Sequence, residues 1–321
     1  MGALDDYLQA RRADVDSALA RYIPQPPRTP AVVSDSMRYS LMAGGKRLRP
    51  VLTLAAADAI AARTGVAPDA ARALALPAAC AIEMIHTYSL IHDDLPAMDD
   101  DTMRRGRPTL HVVAGDGIAI LAGDGLHAEA FSLLAREPVS RDPAVTARKL
   151  RVIGVIADAA GPAGMVGGQA IDLQAVRPHD RAFVKDPGSV DAVPTVPIDI
   201  EAMHARKTGA LIRASAVCGA VMAGGDDDSI AAIDRYATEI GLAFQIVDDI
   251  LDVEAGSDTL GKTAGKDAAA GKPTYPSLFG LEQSRTLAAE CVRRAERALA
   301  DAGLTESHLP GIAHWIVTRR S

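Results

Sequence analysis

The stretch Asp69–Asp93 is apolar on most of its sides and runs into Ile91-His-Asp-Asp-Leu-Pro-Ala-Met-Asp-Asp-Asp101, where five carboxylates lie within nine residues. A helix without a polar face has to be surrounded by other elements. Asp93 and Asp94 fall near its C-terminal end, where the helix dipole is already negative and where the two anions also repel each other. The chain must therefore fold around this segment and bring cations to its end. Pro77 stands within it, as a kink or in its first turns. Pro96 should end the helix and let the chain turn so that Asp99 faces Asp93.

The rest of the chain supplies helices. Aromatic residues make up only 3% of 321 residues, while the hydrophobic fraction is 48% and rich in Ala and Leu. Strands prefer aromatic and β-branched residues, so this balance favours helices. Apolar spacing predicts helices over Ala3–Arg21, Ala31–Ala43, Val51–Arg63, Asp116–Ala135, Pro143–Ala160, Ala163–Ala175, Ile200–Ala223, Asp228–Val253, Tyr275–Ala302 and about Leu309–Arg319. Val176–Pro197 and Glu254–Lys272 lack the pattern and read as loops. With no break in composition and no short repeat, residues 1–321 read as one large all-α domain, a single helical bundle, although length alone allows two domains. A net charge of −7 and a pI near 5.6 argue against nucleic acid as a partner. No uninterrupted run reaches the ~18–20 apolar residues of a membrane span. The acidic, amphipathic N-terminus is unlike a signal peptide. Cys80, Cys218 and Cys291 are far apart in apolar settings, as expected of reduced thiols in a cytoplasmic protein.

A second acid cluster, Phe244-Gln-Ile-Val-Asp-Asp-Ile-Leu-Asp252, places Asp248 and Asp252 on one helix face with Asp249 turned about 100° away. Ile246, Val247, Ile250 and Leu251 make that helix largely buried, and buried unpaired carboxylates need a metal or strong donors. Two such clusters suggest two walls of a central cavity that hold Mg2+ between them with a polyphosphate, because Mg2+ usually takes one or two carboxylates plus phosphate oxygens. Cations answer them. Gly44-Gly-Lys-Arg-Leu-Arg-Pro50 places three after a double glycine, where backbone can approach an anion and where Lys46 and Arg49 would flank a diphosphate. Arg104 and Arg105 follow the first cluster and suit bidentate phosphate binding. Lys207-Thr-Gly209 breaks its own helix with two poor helix formers, a place where backbone carbonyls and a hydroxyl are freed for a ligand. Lys262, Lys266 and Lys272 decorate the loop after the second cluster as a basic lid.

With GGKRLRP at 44–50, HTYSLIHDDLPAMDDDTMRRGRPTLH at 86–111, GGQAIDL at 167–173, KTGALI at 207–212, GLAFQIVDDILD at 241–252 and LGKTAGKD…GKPTYP at 260–276, the chain resembles the trans-isoprenyl diphosphate synthases, and within them the bacterial farnesyl (geranyl-transferring) type. The resemblance implies the isoprenoid-synthase helical fold, a homodimer, and condensation of isopentenyl diphosphate with an allylic diphosphate. It implies Mg2+, three ions with substrate bound, on Asp93, Asp99 and Asp248, with Asp94, Asp249 and Asp252 in support. It places Lys46, Arg49, His86 and Arg105 on isopentenyl diphosphate, and Arg104, Lys207, Lys262 and Lys272 on the allylic diphosphate. Thr208 and Gln245 would stand beside the nascent carbocation, with Gln169 and Asp172 behind them. Tyr88 and Ser89 lie about one turn before Asp93, deeper along the growing tail. In the family a bulky aromatic at the place of Tyr88 goes with a fifteen-carbon product, so farnesyl diphosphate is expected, with ten- or twenty-carbon synthases as alternatives.

Other readings fit less of the chain. Glu83-x-x-His86 and Glu201-x-x-His204 have the spacing of a di-iron carboxylate bundle, which leaves GGKRLRP and the aspartates without a role. A terpene cyclase needs no second diphosphate site. A non-catalytic prenyltransferase subunit should have lost one acid cluster, and both are present. The connector between Asp172 and Lys207 is long for the family and carries Pro178, Pro187, Pro194 and Pro197; it reads as a surface excursion. Arg319 and Arg320 could close over the active site or simply be solvated, and of the two they read as solvated.

Overall fold

The computed structural model describes residues 2–176, 200–258 and 274–319. Helices α1 (Ala3–Tyr22), α2 (Ala31–Leu41), α3 (Leu48–Thr64) and α4 (Pro68–Asp93) come first. A two-residue hairpin follows, β1 (Met103–Arg104) against β2 (Arg107–Pro108), antiparallel with Arg104 opposite Arg107. Then come α5 (Leu110–Ala114), α6 (Asp116–Arg136), α7 (Pro143–Ala160) and α8 (Met165–Val176). After the connector, α9 (Ile200–His204) leads through a π turn (Ala205–Gly209) into α10 (Ala210–Met222). The long α11 (Asp227–Asp258), α12 (Tyr275–Phe279), α13 (Leu281–Asp301) and α14 (Leu309–Thr318) complete the described chain.

Helix α4 is the axis of this arrangement. Ala75, Ala79, Cys80, Ala81, Ile82, Met84 and Ile85 are fully buried on it, and they cover all sides of the helix. Contacts with α3, α6 and α10 surround it. Pro68 occupies the first turn, where its missing N–H costs nothing, and Pro77 lies in the helix interior. Small residues bring the surrounding helices close. A Cβ on Gly219 of α10 would overlap the carbonyl oxygen of Thr53 on α3. Tyr236 of α11 is fully buried and its hydroxyl donates to the Leu309 carbonyl at 2.7 Å, which ties α11 to α14.

Several elements depart from expectation. The helix read across Ile200–Ala223 is interrupted by the π turn, so Lys207-Thr-Gly209 does not merely weaken a helix; it lies in a wider turn. The helix read across Tyr275–Ala302 divides at Gly280, whose φ of +81° is reached without strain only by glycine. Glu254–Asp258, read as loop, continues α11. The hairpin and α5 were hidden by their brevity. The rest of Val176–Pro197 and of Glu254–Lys272 lies outside the described residues.

Three stretches, Pro68–Asp93, Asp116–Arg136 and Pro143–Gln174, are long and apolar enough to cross a membrane by length and composition, which corrects the expectation drawn from uninterrupted runs. In Pro68–Asp93, 72% of the most apolar window is buried within the protein, so the bundle itself accounts for its apolarity. Gly219→Ala should lower the urea unfolding midpoint by the equivalent of about 2–3 kcal/mol, the usual cost of forcing an extra carbon into a packed contact. A parent-like midpoint would mean that α10 and α3 separate without cost.

Candidate active site

The end of α4 is tied into a compact acid loop. The Asp99 amide donates to the Asp93 carbonyl at 2.9 Å and the Asp101 amide to the Asp94 carbonyl at 3.1 Å. Asp100 takes φ +52°, an unfavourable conformation for a residue with a Cβ. Pro96 does end the helix, and Asp99 returns beside Asp93 as expected. Burial pushes the Asp93 carboxyl up to about 6; Lys207 pulls against that rise and Asp99 adds to it. Asp94 is only 4% exposed and is held by Arg104, whose Nε donates to its two oxygens at 2.7 and 3.0 Å. Arg104, expected on a diphosphate, is thus first of all the partner of Asp94, with about a third of its side chain exposed (34%).

Arg104 gets there because the hairpin turns on Arg105 and Gly106, both with positive φ (+51° and +73°). Two left-handed residues make the tight turn that matches strand twist. The same turn lays Arg105 back on the double glycine, where its guanidinium donates to the Gly44 carbonyl. A Cβ on Gly45 would come within 2.7 Å of that guanidinium. Arg105, Arg49 and His86 therefore share one corner. Burial, and then the charges of Arg49 and Arg105, hold the His86 imidazolium well below its usual range, so the ring is neutral at physiological pH.

The second acid cluster lies on α11. Burial raises the Asp248 carboxyl; Arg319, Lys46 and Arg49 oppose that rise. The Arg319 guanidinium pairs with Asp248, donates to the Phe244 carbonyl at 3.3 Å and lies 4.2 Å from the centre of the Phe244 ring. This corrects the expectation of a solvated Arg319: its side chain is 5% exposed. Nothing in the local sequence announces the contact, which depends on where α14 ends. Asp249 is buried and accepts from the Tyr275 amide at 2.9 Å, so it anchors the start of α12 beside the cluster. Asp252 lies one turn on, half-buried. Lys262, Lys266, Lys272 and Arg320 lie outside the described residues.

Beside the end of α4 is a cavity of about 410 Å3. Arg49, His86, Asp93, Gln169, Lys207 and Thr208 give it a polar end; Leu90, Met98, Met165, Val166 and Leu173 give it apolar walls. Tyr88 and Ser89 line it as well, whereas Asp248 and Gln245 lie on α11 outside its lining. The Tyr88 ring stacks on His127 of α6, with centroids 4.6 Å apart and planes at 18°, and His127 in turn meets Phe131 at 5.6 Å. His127 is a pocket neighbour that no motif revealed. Lys207 pairs with the buried Asp172, as the supporting role expected for Asp172 requires. The Nε of Arg49 and the Nε2 of Gln169 are buried without a hydrogen-bond partner among the described residues. Buried donors left so are costly unless a ligand accepts from them.

Glu83 and His86 do not form a di-iron site with Glu201 and His204: Glu83 pairs with Arg47 at 2.6 Å, and His204 faces Tyr275. Among the described residues no three His, Cys, Asp or Glu side chains converge on one point. The candidate oxygen ligands are nonetheless hard, from Asp93, Asp99 and Asp248, and the unpartnered Arg49 Nε and Gln169 Nε2 belong to residues that line the cavity with Asp93. That set fits Mg2+ ions that keep water and share phosphate oxygens, and not a closed protein cage.

Sequence and structure comparisons agree with the geometry. The family model described as polyprenyl synthetase matches residues 30–303. The dimethylallyltranstransferase of Fischerella ambigua is 43% identical, over 98% of this chain and 84% of its own. The chloroplastic heterodimeric geranylgeranyl pyrophosphate synthase large subunit 1 of Arabidopsis thaliana is 45% identical, over 91% of this chain and 73% of its own. The apo structure of an FPP/GFPP synthase from Zymomonas mobilis superposes with a TM-score of 0.78 at 37% identity, covering 98% of this chain and 99% of that one.

The neutral His86 sets a pH dependence. Below about pH 6.5 the unfolded chain takes up a proton there that the folded protein refuses, so His86 costs stability as pH falls. In chelator-treated protein, His86→Gln should remove up to about 1.4 kcal/mol per pH unit of acid-side loss below pH 6.5. Urea midpoints of parent and variant from pH 7.5 to 5.5 measure the difference; parallel curves would mean His86 is protonated in the fold.

Proposed function

The chain belongs to the polyprenyl synthetase family and is a trans-prenyltransferase; from that premise we propose that it joins isopentenyl diphosphate to dimethylallyl and geranyl diphosphate and stops at farnesyl diphosphate. Lys46, Arg49, His86 and Arg105 hold the isopentenyl diphosphate. Arg49 and Arg105 offer charged donors, and the neutral His86 adds an N–H without adding repulsion to its arginine neighbours. Lys207 and Arg104 face the allylic diphosphate, Lys262 and Lys272 are assigned to it from their sequence motif, and Asp93, Asp99 and Asp248 hold Mg2+. When bound, Mg2+ supplies positive charge to the leaving diphosphate.

The residues then work by position and exclusion. Lys207, kept in place by Asp172, lies where charge grows as the allylic C–O bond breaks and its electron pair leaves with the diphosphate. Thr208 lines the cavity from the π turn, where the regular helical hydrogen-bond ladder is broken, and offers an oxygen dipole to the allylic cation. Gln245, on α11 outside that lining, is assigned the same dipole role from its motif. The apolar walls keep out water that would quench the cation. The isopentenyl double bond attacks, a carbon–carbon bond forms, and the proton lost from the adjacent carbon goes to the departed diphosphate, so no protein base is needed.

Tyr88 carries the choice of product. Tyr88 lines the cavity and its ring stacks on His127, which supports the reading that a tail lengthened past it meets two stacked rings. A twenty-carbon product is the second reading, supported by relatives at 43–45% identity named geranylgeranyl pyrophosphate synthases. The working form in this proposal is a homodimer; the Arabidopsis relative is named as a heterodimer subunit, and sedimentation of the purified chain separates the two cases. The three cysteines are buried and unpaired, which supports a reducing compartment, the cytoplasm.

With isopentenyl and dimethylallyl diphosphates and Mg2+, the expected product is mainly fifteen carbons long. Tyr88→Ala should shift the product to twenty carbons or more. A parent enzyme that already makes twenty carbons, or a variant that makes nothing longer, would overturn the role of Tyr88. Asp93→Asn should reduce kcat by about a hundredfold or more, measured as single-turnover release of diphosphate.

A further inference from the structure

Within Lys46–Arg49 the side chains go opposite ways. Arg49 lines the cavity and Lys46 lies near Asp248, but Arg47 turns inward and is 3% exposed. It does so from a left-handed backbone, φ +52°, at the residue that caps α3. Each nitrogen of its fork has a partner. Nη1 donates to Glu83 at 2.6 Å, Nε to Asp16 at 2.8 Å and Nη2 to the Leu41 carbonyl at 2.7 Å. One side chain thus fastens the loop to α1, to the end of α2 and to α4.

Glu83 is the other half of the device. It is 2% exposed and precedes His86 by three residues, so the two share a face of α4. Its charge also reaches Arg49 and Arg105. A buried carboxylate beside cations meant for a diphosphate would compete for them, unless a nearer cation takes it. Arg47 is that cation. Stability alone does not call for the pair, because well-packed apolar side chains often replace a buried ion pair without loss. A left-handed backbone held by three directed bonds, next to two substrate-binding cations, indicates a demand for position.

We propose that Arg47 and Glu83 are positioning residues for the isopentenyl diphosphate site: Glu83 holds Arg47, Arg47 fixes the backbone that aims Lys46 and Arg49, and the pairing leaves Arg49 and Arg105 free for the diphosphate. This rests on the assignment of Arg49, Arg105 and His86 to that substrate.

The test is a set of folded variants assayed separately for each substrate. Arg47→Met/Glu83→Met removes the pair without stranding a charge and should melt close to the parent. Its KM for isopentenyl diphosphate should rise about tenfold or more, since small misplacement of binding groups is costly. Its KM for the allylic substrate should stay within about twofold. Arg47→Lys keeps the charge but loses the fork; it should show the same one-sided rise, and serves if the double variant does not fold. A folded variant of either kind with the parent KM for isopentenyl diphosphate overturns the proposal. Arg49→Gln is the control. If it leaves that KM unchanged, the site assignment falls and the proposal falls with it; if it raises the KM while the paired variants do not, only the proposal falls.

Discussion

Carboxylates at the end of a buried apolar helix are the constraint on which this structure depends. α4 must be enclosed because it has no polar face, and its last turn carries Asp93 and Asp94 into a place where dipole, burial and mutual repulsion all disfavour charge. The fold answers each anion differently. Asp94 receives an arginine from a hairpin built for the purpose. Asp93 receives only the distant help of Lys207 and Arg104 and remains raised to about 6. One carboxylate is satisfied by protein, and the other, in the proposed function, takes the cation that comes with the substrate.

The second wall follows the same division. Asp249 is spent on the backbone of Tyr275, while Asp248 is met by Arg319 from the far end of the chain. The Arg319 guanidinium lowers the cost of holding Asp248 ionised in a half-buried setting. On the basic side, Arg47 absorbs the buried charge of Glu83, so that Arg49 and His86 face the cavity. The site thus sorts its ions into those paired within the protein and those kept for ligands.

What the sequence made legible were the features that break ordinary rules. Acid runs after apolar helices, a double glycine before three cations, and Thr-Gly inside a helix are each locally unfavourable, so each demanded an explanation, and each lies at the site. The helix spans were readable because apolar periodicity is a local property. Contacts made across the chain were not readable. Arg319 on Asp248 and His127 behind Tyr88 join residues about 40 to 70 positions apart, and no local pattern records them. Arg47 was visible as a cation, but its inward turn was not, because the left-handed backbone that hides it belongs to a residue type that rarely adopts it.

The π turn shows how such a local fault is sustained. A turn wider than an α-helix is poorly stable by itself and persists only where its surroundings impose it. Here the surroundings are bare backbone. Gly168 of α8 lies so close to the turn that a Cβ would overlap the Lys207 amide, and a Cβ on Gly241 of α11 would approach Gly209 to 3.3 Å. Both neighbours lack side chains at the point of contact, so the turn is clamped from two sides at backbone distance. That clamp carries Lys207 to Asp172 and Thr208 into the cavity wall. A residue with a Cβ at Gly168 would have to push the turn away, and the hydroxyl and the ammonium would move with it. Gly168 of GGQAIDL and Gly241 of GLAFQIVDD therefore shape the site although neither has a side chain to offer a substrate.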